Sequence, residues 1–319
     1  MDPRCHPPGP DGRALPVRRV LLTGWFSFLH GEATAGDVLA VEAVARALAE
    51  RGTPHDIAWS PRFRPGGPTL DSVAPERYSH LVFVCGPLHS RPPAPGTPAP
   101  VAEIHRRFGH CRRIAVGVSV PDGEDPAVAG FHQVLARDGA GPPVPDLSWF
   151  AGRQRPVPVV GVLLNAGQGE YGPARRHEEL AVTLGSWLRE LDAARIELDT
   201  RLSSEDWRLP ATPAQLHSQL SRLDVVLTTR LHGLVLGLAA GVPALAVDPV
   251  RGGAKVTAQA RALDWPAVLP SSATPAQLDR WWQWCLGAQA LQSADRAAAR
   301  ARGGSTLLSG LLAELLPPH

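Results

Sequence analysis

The sequence predicts an α/β protein built of two Rossmann-like domains that face each other across a cleft. Its 319 residues are about twice the length of an average domain. In both halves, short apolar runs rich in β-branched residues alternate with helical patterns, as in parallel sheets with crossover helices. Residues 153–158 are polar and contain proline, which is typical of a linker. We therefore predict one domain at residues 17–152 and a second at residues 153–319.

The amino-terminal residues and the composition indicate the cellular compartment in which the protein is expected. Residues 1–16 carry five prolines and no apolar stretch of a signal peptide, which predicts a disordered tail. The longest apolar run, Leu234 to Val247, is broken by glycine and proline and is too short to cross a bilayer. The four cysteines form no C-x-x-C pair, which favours a reduced compartment. We expect a cytoplasmic protein without a membrane span, and the net charge of +2 argues against nucleic-acid binding.

The first domain opens with a strand, a loop, a helix and a second strand. The run from Arg18 to Thr23 predicts the first strand. Apolar residues at three- and four-residue spacing then predict a helix that starts near Gly36-Asp37 and stops at Gly52. The second strand is expected at His55 to Trp59. In this pattern Asp37 is an N-cap carboxylate that satisfies free N–H groups, a role that is compatible with ligand binding.

Two more strands of the first domain end in polar turns. Leu81 to Gly86 predicts a strand whose turn carries His89, and Arg113 to Val118 predicts the next strand. Arg137 comes after these strands and is followed by an aspartate. A purely structural interpretation of these residues places Arg137 at a solvated helix end and His89 in a surface loop, as an alternative to ligand contacts.

The second domain begins with an apolar strand at Val157 to Asn165. A leucine-rich helix follows, and then a strand at Arg195 to Leu198. Thr212 precedes a proline and predicts the N-cap of the next helix, and Thr274 predicts another N-cap in the same way. The last helix is expected at Leu307 to Leu316.

Residues 224–248 predict the βαβ crossover around which the second domain is organised. Asp224 to Leu227 and Pro243 to Val247 are short buried strands, and a short helix is expected between them. At the elbow, Arg230 and His232 stand between the carboxyl end of the first strand and the amino end of the helix. Ligands bind at such positions in parallel sheets, because the helix terminus leaves N–H groups free and favours an anion.

The elbow and the residues after it resemble the polysaccharide pyruvyl transferase family. The resemblance rests on Thr-Arg-Leu-His-Gly at 229–233, Gly-Val-Pro at 241–243 and Gly-Gly-Ala-Lys-Val at 252–256. That family moves an enolpyruvyl unit from phosphoenolpyruvate onto two hydroxyls of a sugar and makes a pyruvate ketal. The resemblance therefore implies a transferase of glycosyltransferase-B-like architecture, with the acceptor on the first domain and the donor on the second.

The resemblance also implies ligand contacts in the first domain. Gly36-Asp37 matches the start of the family's first helix, and His89 falls where the family can present a pocket histidine. Pro87-Leu88 departs from the glycine run that the family usually has after this strand. The substrate contacts implied in this domain are Asp37, Gly86 and Arg137.

Phosphoenolpyruvate carries a carboxylate and a phosphate, so its site needs cations of fixed geometry. Arg230 offers a bidentate fork for one anion and Lys255 a point charge for the other. Lys255 is the only lysine of the chain, which favours a position that needs a compact ammonium. The resemblance adds Leu231 as a substrate contact. We expect His232 to act first as acid and then as base, with His89 as the second candidate.

Other interpretations remain open at this stage. A nucleotide-sugar glycosyltransferase of the same fold would use a similar basic elbow for a diphosphate, although it would need an acidic ribose contact that does not stand out. A non-catalytic family member would bind ligand without turnover, and His232 would then be a structural histidine at the elbow. No metal-ligand spacing is present, and we expect no metal and no cofactor beyond phosphoenolpyruvate as donor substrate. The sequence does not distinguish a glycan from a glycosylated small-molecule acceptor, and it does not indicate the oligomeric state.

Overall fold

A computed structural model describes residues 18–139, 141–164, 167, 169–301 and 303–316 of the chain. The chain divides into two compact units between Gln154 and Arg155, where the sequence predicts a boundary between residues 152 and 153. The predicted tail at 1–16 lies outside the described residues. None of the helices among the described residues is both long and apolar enough to cross a membrane.

The first unit is a parallel five-stranded sheet with the strand order β2-β1-β3-β4-β5. Its strands are β1 (Val20–Thr23), β2 (His55–Ile57), β3 (His80–Val84), β4 (Arg112–Ser119) and β5 (Gln133–Asp138). Its helices are α1 (Ala35–Glu50), α2 (Pro100–Arg107) and α3 (Pro126–Ala129). The central strands are apolar and buried because helices and loops cover the sheet, as is usual for parallel sheets.

The second unit is also a parallel five-stranded sheet, with the strand order β10-β9-β8-β6-β7. Its strands are β6 (Val159–Leu163), β7 (Ala194–Glu197), β8 (Val225–Thr228), β9 (Ala244–Val247) and β10 (Val268–Leu269). Its helices are α4 (His177–Glu190), α5 (Pro213–Leu220), α6 (Leu231–Ala239), α7 (Lys255–Ala262), α8 (Pro275–Cys285), α9 (Ala288–Ala301) and α10 (Thr306–Leu315). The α/β class and the parallel sheets predicted for both halves are confirmed.

The predicted βαβ crossover is present as β8, α6 and β9, and two glycines let its helix lie close to the sheet. A Cβ on Gly233 would lie 2.1 Å from Thr228 Oγ1, and one on Gly237 would lie 3.2 Å from Val226 Cγ2. Thr228 Oγ1 donates to Leu163 O at 3.0 Å and accepts from the backbone N–H of Arg230 at 2.9 Å. Close packing of α6 on β8 therefore fixes the backbone at the elbow.

Several parts of the chain differ from their predicted structure. Residues 133–138 are the edge strand β5 and not a helix end, so Arg137 lies in a strand. Helices α2, α3 and α9 and strand β10 have no counterpart in the prediction. Helix α1 begins at Ala35 with Thr34 as its N-cap, so Asp37 is the third helical residue and not the cap itself. Thr34 and Asp37 have the spacing of a capping box. In that motif the threonine is the N-cap and the acidic residue three positions later is the third helical residue.

Candidate functional site

The carboxyl edge of the second sheet brings together loops from strands on both sides of β6. The chain passes from β6 to β7 on one side, and later returns to β8 on the other side of β6. Arg230 follows β8, and Asp199 and Thr200 follow β7. Arg230 Nη1 donates to the carboxylate of Asp199 and to Thr200 Oγ1, the latter at 3.0 Å. This ion pair therefore joins the loops at the point where strand order reverses, which is the usual ligand position of an open α/β sheet.

The guanidinium of Arg230 keeps one of its edges available. Its side chain is 19% exposed, and Nε and Nη2 make no hydrogen bond to any residue that the structure describes. Burial raises the pKa of Asp199, but hydrogen bonds from Arg201 and the positive charges nearby outweigh burial and hold that pKa below its ordinary value. Asp199 is therefore ionised at neutral pH, and it orients Arg230 while the Nε–Nη2 edge can receive a second anion in bidentate fashion.

The amino end of α6 adds unsatisfied backbone donors beside this arginine. Leu231 and His232 are the first two residues of the helix, and no side chain caps it. The imidazole of His232 is exposed and has no hydrogen-bond partner within the described parts of the chain. The helix terminus thus offers N–H groups and a positive potential to an anion, and it places a titratable imidazole at the same point.

Lys255 is the first residue of α7, but the end of that helix is already neutralised. The buried carboxylate of Asp248 accepts from the backbone N–H groups of Ala254 at 2.7 Å and Thr257 at 2.9 Å, and from Thr257 Oγ1 at 2.8 Å. Lys255 Nζ lies 3.6 Å from Glu170 Oε1. The ammonium, which is 37% exposed and pairs with an exposed glutamate, is therefore the charged side chain at this position that a ligand can reach.

His177, which sequence reasoning missed, lies in the same unit at the first position of α4. The residue is only 3% exposed, and neither ring nitrogen has a hydrogen-bond partner among the described residues. Burial lowers the pKa of His177 below its ordinary value, and Arg175 acts in the same direction. Asp248 and Glu170 oppose that shift. No periodic pattern marks this histidine, because its environment is made by segments distant in sequence.

In the first unit, Asp37 forms a reciprocal capping box with Thr34. The backbone N–H of Asp37 donates to Thr34 Oγ1 at 3.2 Å, and Asp37 Oδ2 accepts from the backbone N–H and the hydroxyl of Thr34 at 3.2 and 2.7 Å. The carboxylate therefore has a complete structural role at the start of α1. Its predicted substrate contact stays a prediction.

Gly86 and His89 both contact Trp25, which sequence reasoning did not select. Gly86 has a φ of +75°, and a Cβ there would lie 2.2 Å from Trp25 Cδ1. The indole stacks on the imidazole of His89 with ring centroids 4.7 Å apart, and its Nε1 donates to Pro87 O at 2.9 Å. His89 Nδ1 accepts from the backbone N–H of Arg91 at 3.2 Å. A neutral His89 therefore carries its proton on Nε2, with its ring held against the tryptophan.

Arg137 is enclosed by acidic partners. Its Nε donates to Asp138 Oδ2 at 2.7 Å and its Nη1 donates to the carboxylate of Asp146. These hydrogen bonds raise the pKa of Arg137. Two carboxylates thus compete with any anionic ligand for this guanidinium, and the predicted anion contact of Arg137 stays a prediction.

Cys85 is not a reactive group at this edge. It is buried, and burial together with the charges of Asp146 and Asp37 raises the pKa of its thiol to about 12. Among the described residues, no three histidine, cysteine or acidic side chains lie close enough to hold a metal ion.

The sequence model of one protein family matches the segment that contains the elbow. Residues 174–249 match the polysaccharide pyruvyl transferase family. The match runs from the start of α4 to the end of β9, so it includes Arg230, Leu231 and His232 and ends before Lys255. The resemblance of the elbow to pyruvyl transferases is confirmed over this part of the chain, and the match indicates a transferase.

Solved glycosyltransferase structures share low similarity with the whole chain, and no curated protein matches it. The glycotransferase of kitacinnamycin is 13% identical, with 95% of this chain and 100% of that chain covered and a TM-score of 0.34. The spinosyn forosaminyltransferase SpnP is 13% identical, with coverages of 93% and 99% and a TM-score of 0.33. The glycosyltransferase SnogD from Streptomyces nogalater is 14% identical, with coverages of 95% and 100% and a TM-score of 0.29. We draw no functional conclusion from similarity at this level.

Proposed function

We propose that the protein transfers the enolpyruvyl group of phosphoenolpyruvate to two hydroxyls of a sugar-containing acceptor, with release of phosphate and formation of a pyruvate ketal. One observation carries this proposal. The segment that matches the pyruvyl transferase family contains Arg230-Leu231-His232 at an uncapped helix terminus. There the free edge of an oriented guanidinium, backbone N–H groups and an exposed imidazole are adjacent.

The donor's two anionic groups fit the charges of the second unit. The Nε–Nη2 edge of Arg230 suits a bidentate contact with one of them, and the N–H groups at Leu231 and His232 extend the same contact. Lys255 supplies a point charge for the other anionic group. Asp199 acts through Arg230, since its ionised carboxylate holds the Nη1 side of the fork.

The chemistry then needs a single side chain that can donate and accept a proton. In our proposal His232 protonates the methylene carbon of the donor, and the positive charge that develops at C2 is captured by one acceptor hydroxyl. The C2–O bond to phosphate breaks, the second hydroxyl attacks C2, and the hydroxyl protons pass to the imidazole and to the departing phosphate. General acid–base catalysis of this kind contributes roughly 10² to 10⁴ in rate.

Nucleotide-sugar transfer, the second function considered, receives less support from the site. It would need a carboxylate free to accept from a ribose hydroxyl. Asp199 is the acidic residue at the elbow, and it already accepts from Arg230 and, at 2.7 Å, from Arg201 Nε. Nucleotide-sugars are therefore included as alternative donors in the experiment below.

The test is turnover with each donor. Purified protein is incubated with phosphoenolpyruvate and a panel of methyl and aryl hexopyranosides, and phosphate release and ketal formation are followed by colorimetry and mass spectrometry. A parallel series contains UDP-glucose and TDP-glucose. Acceptor-dependent phosphate release with a ketal product supports the proposal. Glycosyl transfer from a nucleotide-sugar, or phosphoenolpyruvate binding without turnover across the panel, contradicts it.

A further inference from the structure

The first unit contains a cavity of about 450 Å³ that none of the predicted site residues lines. Its walls come from the segment that follows β1, the segment that follows β2, the proline-rich segment that follows β3, and helix α2. These strands are neighbours in the sheet order β2-β1-β3, so the cavity lies by the carboxyl ends of adjacent parallel strands. Its volume falls within the range of roughly 300 to 1,000 Å³ that is typical of small-molecule sites.

The walls of this cavity are apolar and aromatic. Trp25 and Phe28 contact each other edge to face with centroids 5.5 Å apart, and Phe28 in turn packs against Phe83 of β3 at 6.4 Å. Leu70, Ile104 and Phe108 are further apolar residues of the lining. Because the aromatic rings are held by one another and by the buried core, the cavity presents preformed ring faces to a ligand.

The charged groups of the lining are already paired. Arg107 donates to Val73 O at 2.8 Å and to Asp71 O at 3.4 Å, and its Nη1 lies 3.5 Å from Asp71 Oδ1. Glu103 accepts from Arg106 Nε at 2.9 Å. The lining holds two carboxylates, Asp71 and Glu103, and one arginine, Arg107, so it carries no net positive charge to attract a phosphate or carboxylate, and phosphoenolpyruvate and nucleotide diphosphates fit poorly. An uncharged ring system fits well.

Trp25 connects this cavity to the second candidate histidine. The same indole that forms part of the wall stacks on His89. Among the lining residues, His30 and Thr97 are polar and exposed to solvent. A ligand with an apolar part inside and a hydroxyl-rich part outside therefore matches the distribution of groups.

We propose that this cavity binds the apolar, ring-containing aglycone of a glycosylated small-molecule acceptor and leaves the sugar at the polar opening. The inference rests on the proposed pyruvyl transfer and narrows its acceptor from any sugar-containing molecule to a glycoside with an apolar aglycone. A purely polar glycan would leave the aromatic walls without a partner.

The test compares two probes of equal sugar and different aglycone. Binding of 1-naphthyl and methyl glucopyranosides and galactopyranosides is measured by calorimetry on wild type and on Leu29→Asp, Leu70→Trp and Leu135→Asp. Leu29 lines the cavity and is 48% exposed, so aspartate there adds a charge to the wall at small cost to folding. Leu70→Trp fills the cavity without a charge. Leu135 is 52% exposed in β5 and lies outside the lining, which makes Leu135→Asp the matched control.

We expect the naphthyl glycosides to bind wild type at least roughly tenfold more tightly than the methyl glycosides. Leu29→Asp and Leu70→Trp should abolish that preference, and Leu135→Asp should retain it. Equal binding of both probes, or a preference that survives both cavity variants, overturns the inference, and the proposed function then stands if phosphoenolpyruvate still releases phosphate. Preferential naphthyl binding with the expected variant pattern, but no binding or turnover of phosphoenolpyruvate, upholds the cavity's ligand class and overturns the proposed function.

Discussion

The carboxyl edges of the two sheets share a parallel strand architecture and differ in chemistry. In the second unit Arg230 is oriented by one carboxylate and keeps a free edge beside an uncapped helix. In the first unit Arg137 is enclosed by two carboxylates, and the loops at this edge line an apolar cavity. The sheets do not cause this difference. It comes from the acidic partners of each arginine, since Arg137 is paired with Asp138 and Asp146 whereas, among the described residues, Arg230 is paired with Asp199 alone.

The difference between the two edges is tested most directly at His232, where we expect the largest loss of activity. His232→Gln should lower kcat by roughly 10² to 10⁴ and leave the Kd of phosphoenolpyruvate nearly unchanged, because the proton donor is lost while the cations remain. His217→Gln is the control, since His217 is an exposed histidine of α5 in the same unit. Steady-state kinetics and calorimetry check both values. A His232→Gln kcat within twofold of wild type would remove the imidazole from the chemistry.

The close packing that fixes the elbow can be tested with a pair of glycines. Gly233→Ala should destabilise the protein by about 1 to 3 kcal/mol, because its Cβ would lie 2.1 Å from Thr228 Oγ1. Gly185→Ala in the interior of α4 meets no atom within 4 Å and should stabilise by about 0.5 to 1 kcal/mol. Urea unfolding gives both free energies. We predict changes of opposite sign in the free energy of unfolding. An unchanged free energy for Gly233→Ala would mean that α6 can shift at the elbow.

A smaller effect is expected at the carboxylate that distinguishes Arg230 from Arg137. Asp199→Asn should raise the KM for phosphoenolpyruvate by about tenfold and change kcat little, because the arginine loses its charged orienting partner. Asp192→Asn, an exposed substitution in the same unit, should change neither. If Asp199→Asn instead lowers KM, the carboxylate competes with the donor and does not position the arginine.

The smallest effect concerns pH and the buried His177. Its lowered folded pKa means that the unfolded chain takes up a proton near pH 6.5 and the folded protein only at lower pH. The neutral His177 therefore costs no stability above about pH 6.5, and the protein loses stability as the pH falls from there toward the folded pKa of His177.

His177→Phe should lessen this acid sensitivity relative to wild type, and the exposed His217→Phe should not. The charges facing His177 come from Arg175, Asp248, Glu170 and Lys255. His80 and His105, whose pKa values are also lowered by burial, contribute equally to wild type and variant and cancel. The change in melting temperature between about pH 5 and 7.5 measures the effect. Parallel curves for wild type and His177→Phe would contradict it.

Much of the second unit could be predicted because its signals are local. The crossover at 224–248 has two short apolar runs and a glycine-proline break, and the structure has β8, α6 and β9 there. Thr212 and Thr274 both cap helices, as their position before a proline predicts. Such signals depend on neighbouring residues and on backbone chemistry, which a sequence displays directly.

The features that could not be predicted from the sequence depend on contacts between residues that are distant along the chain. Asp199 and Arg230 meet only because β6 lies between β7 and β8, and nothing in either segment indicates the partner. Trp25 covers Gly86 and stacks on His89 across more than sixty residues of chain. The edge strand β5 was missed because an edge strand is half exposed and its polar end resembles a helix terminus.

The roles proposed for the second unit all require that phosphoenolpyruvate binds at Arg230. Calorimetry with phosphoenolpyruvate should be done on wild type, Arg230→Ala, Lys255→Ala and Arg280→Ala, the last an exposed arginine of α8 that serves as control. We predict binding by wild type and by Arg280→Ala, and a loss of at least roughly tenfold in affinity for Arg230→Ala and Lys255→Ala. Wild type that fails to bind at millimolar donor, or Arg230→Ala that binds as tightly as wild type, would contradict the assignment of this edge to phosphoenolpyruvate.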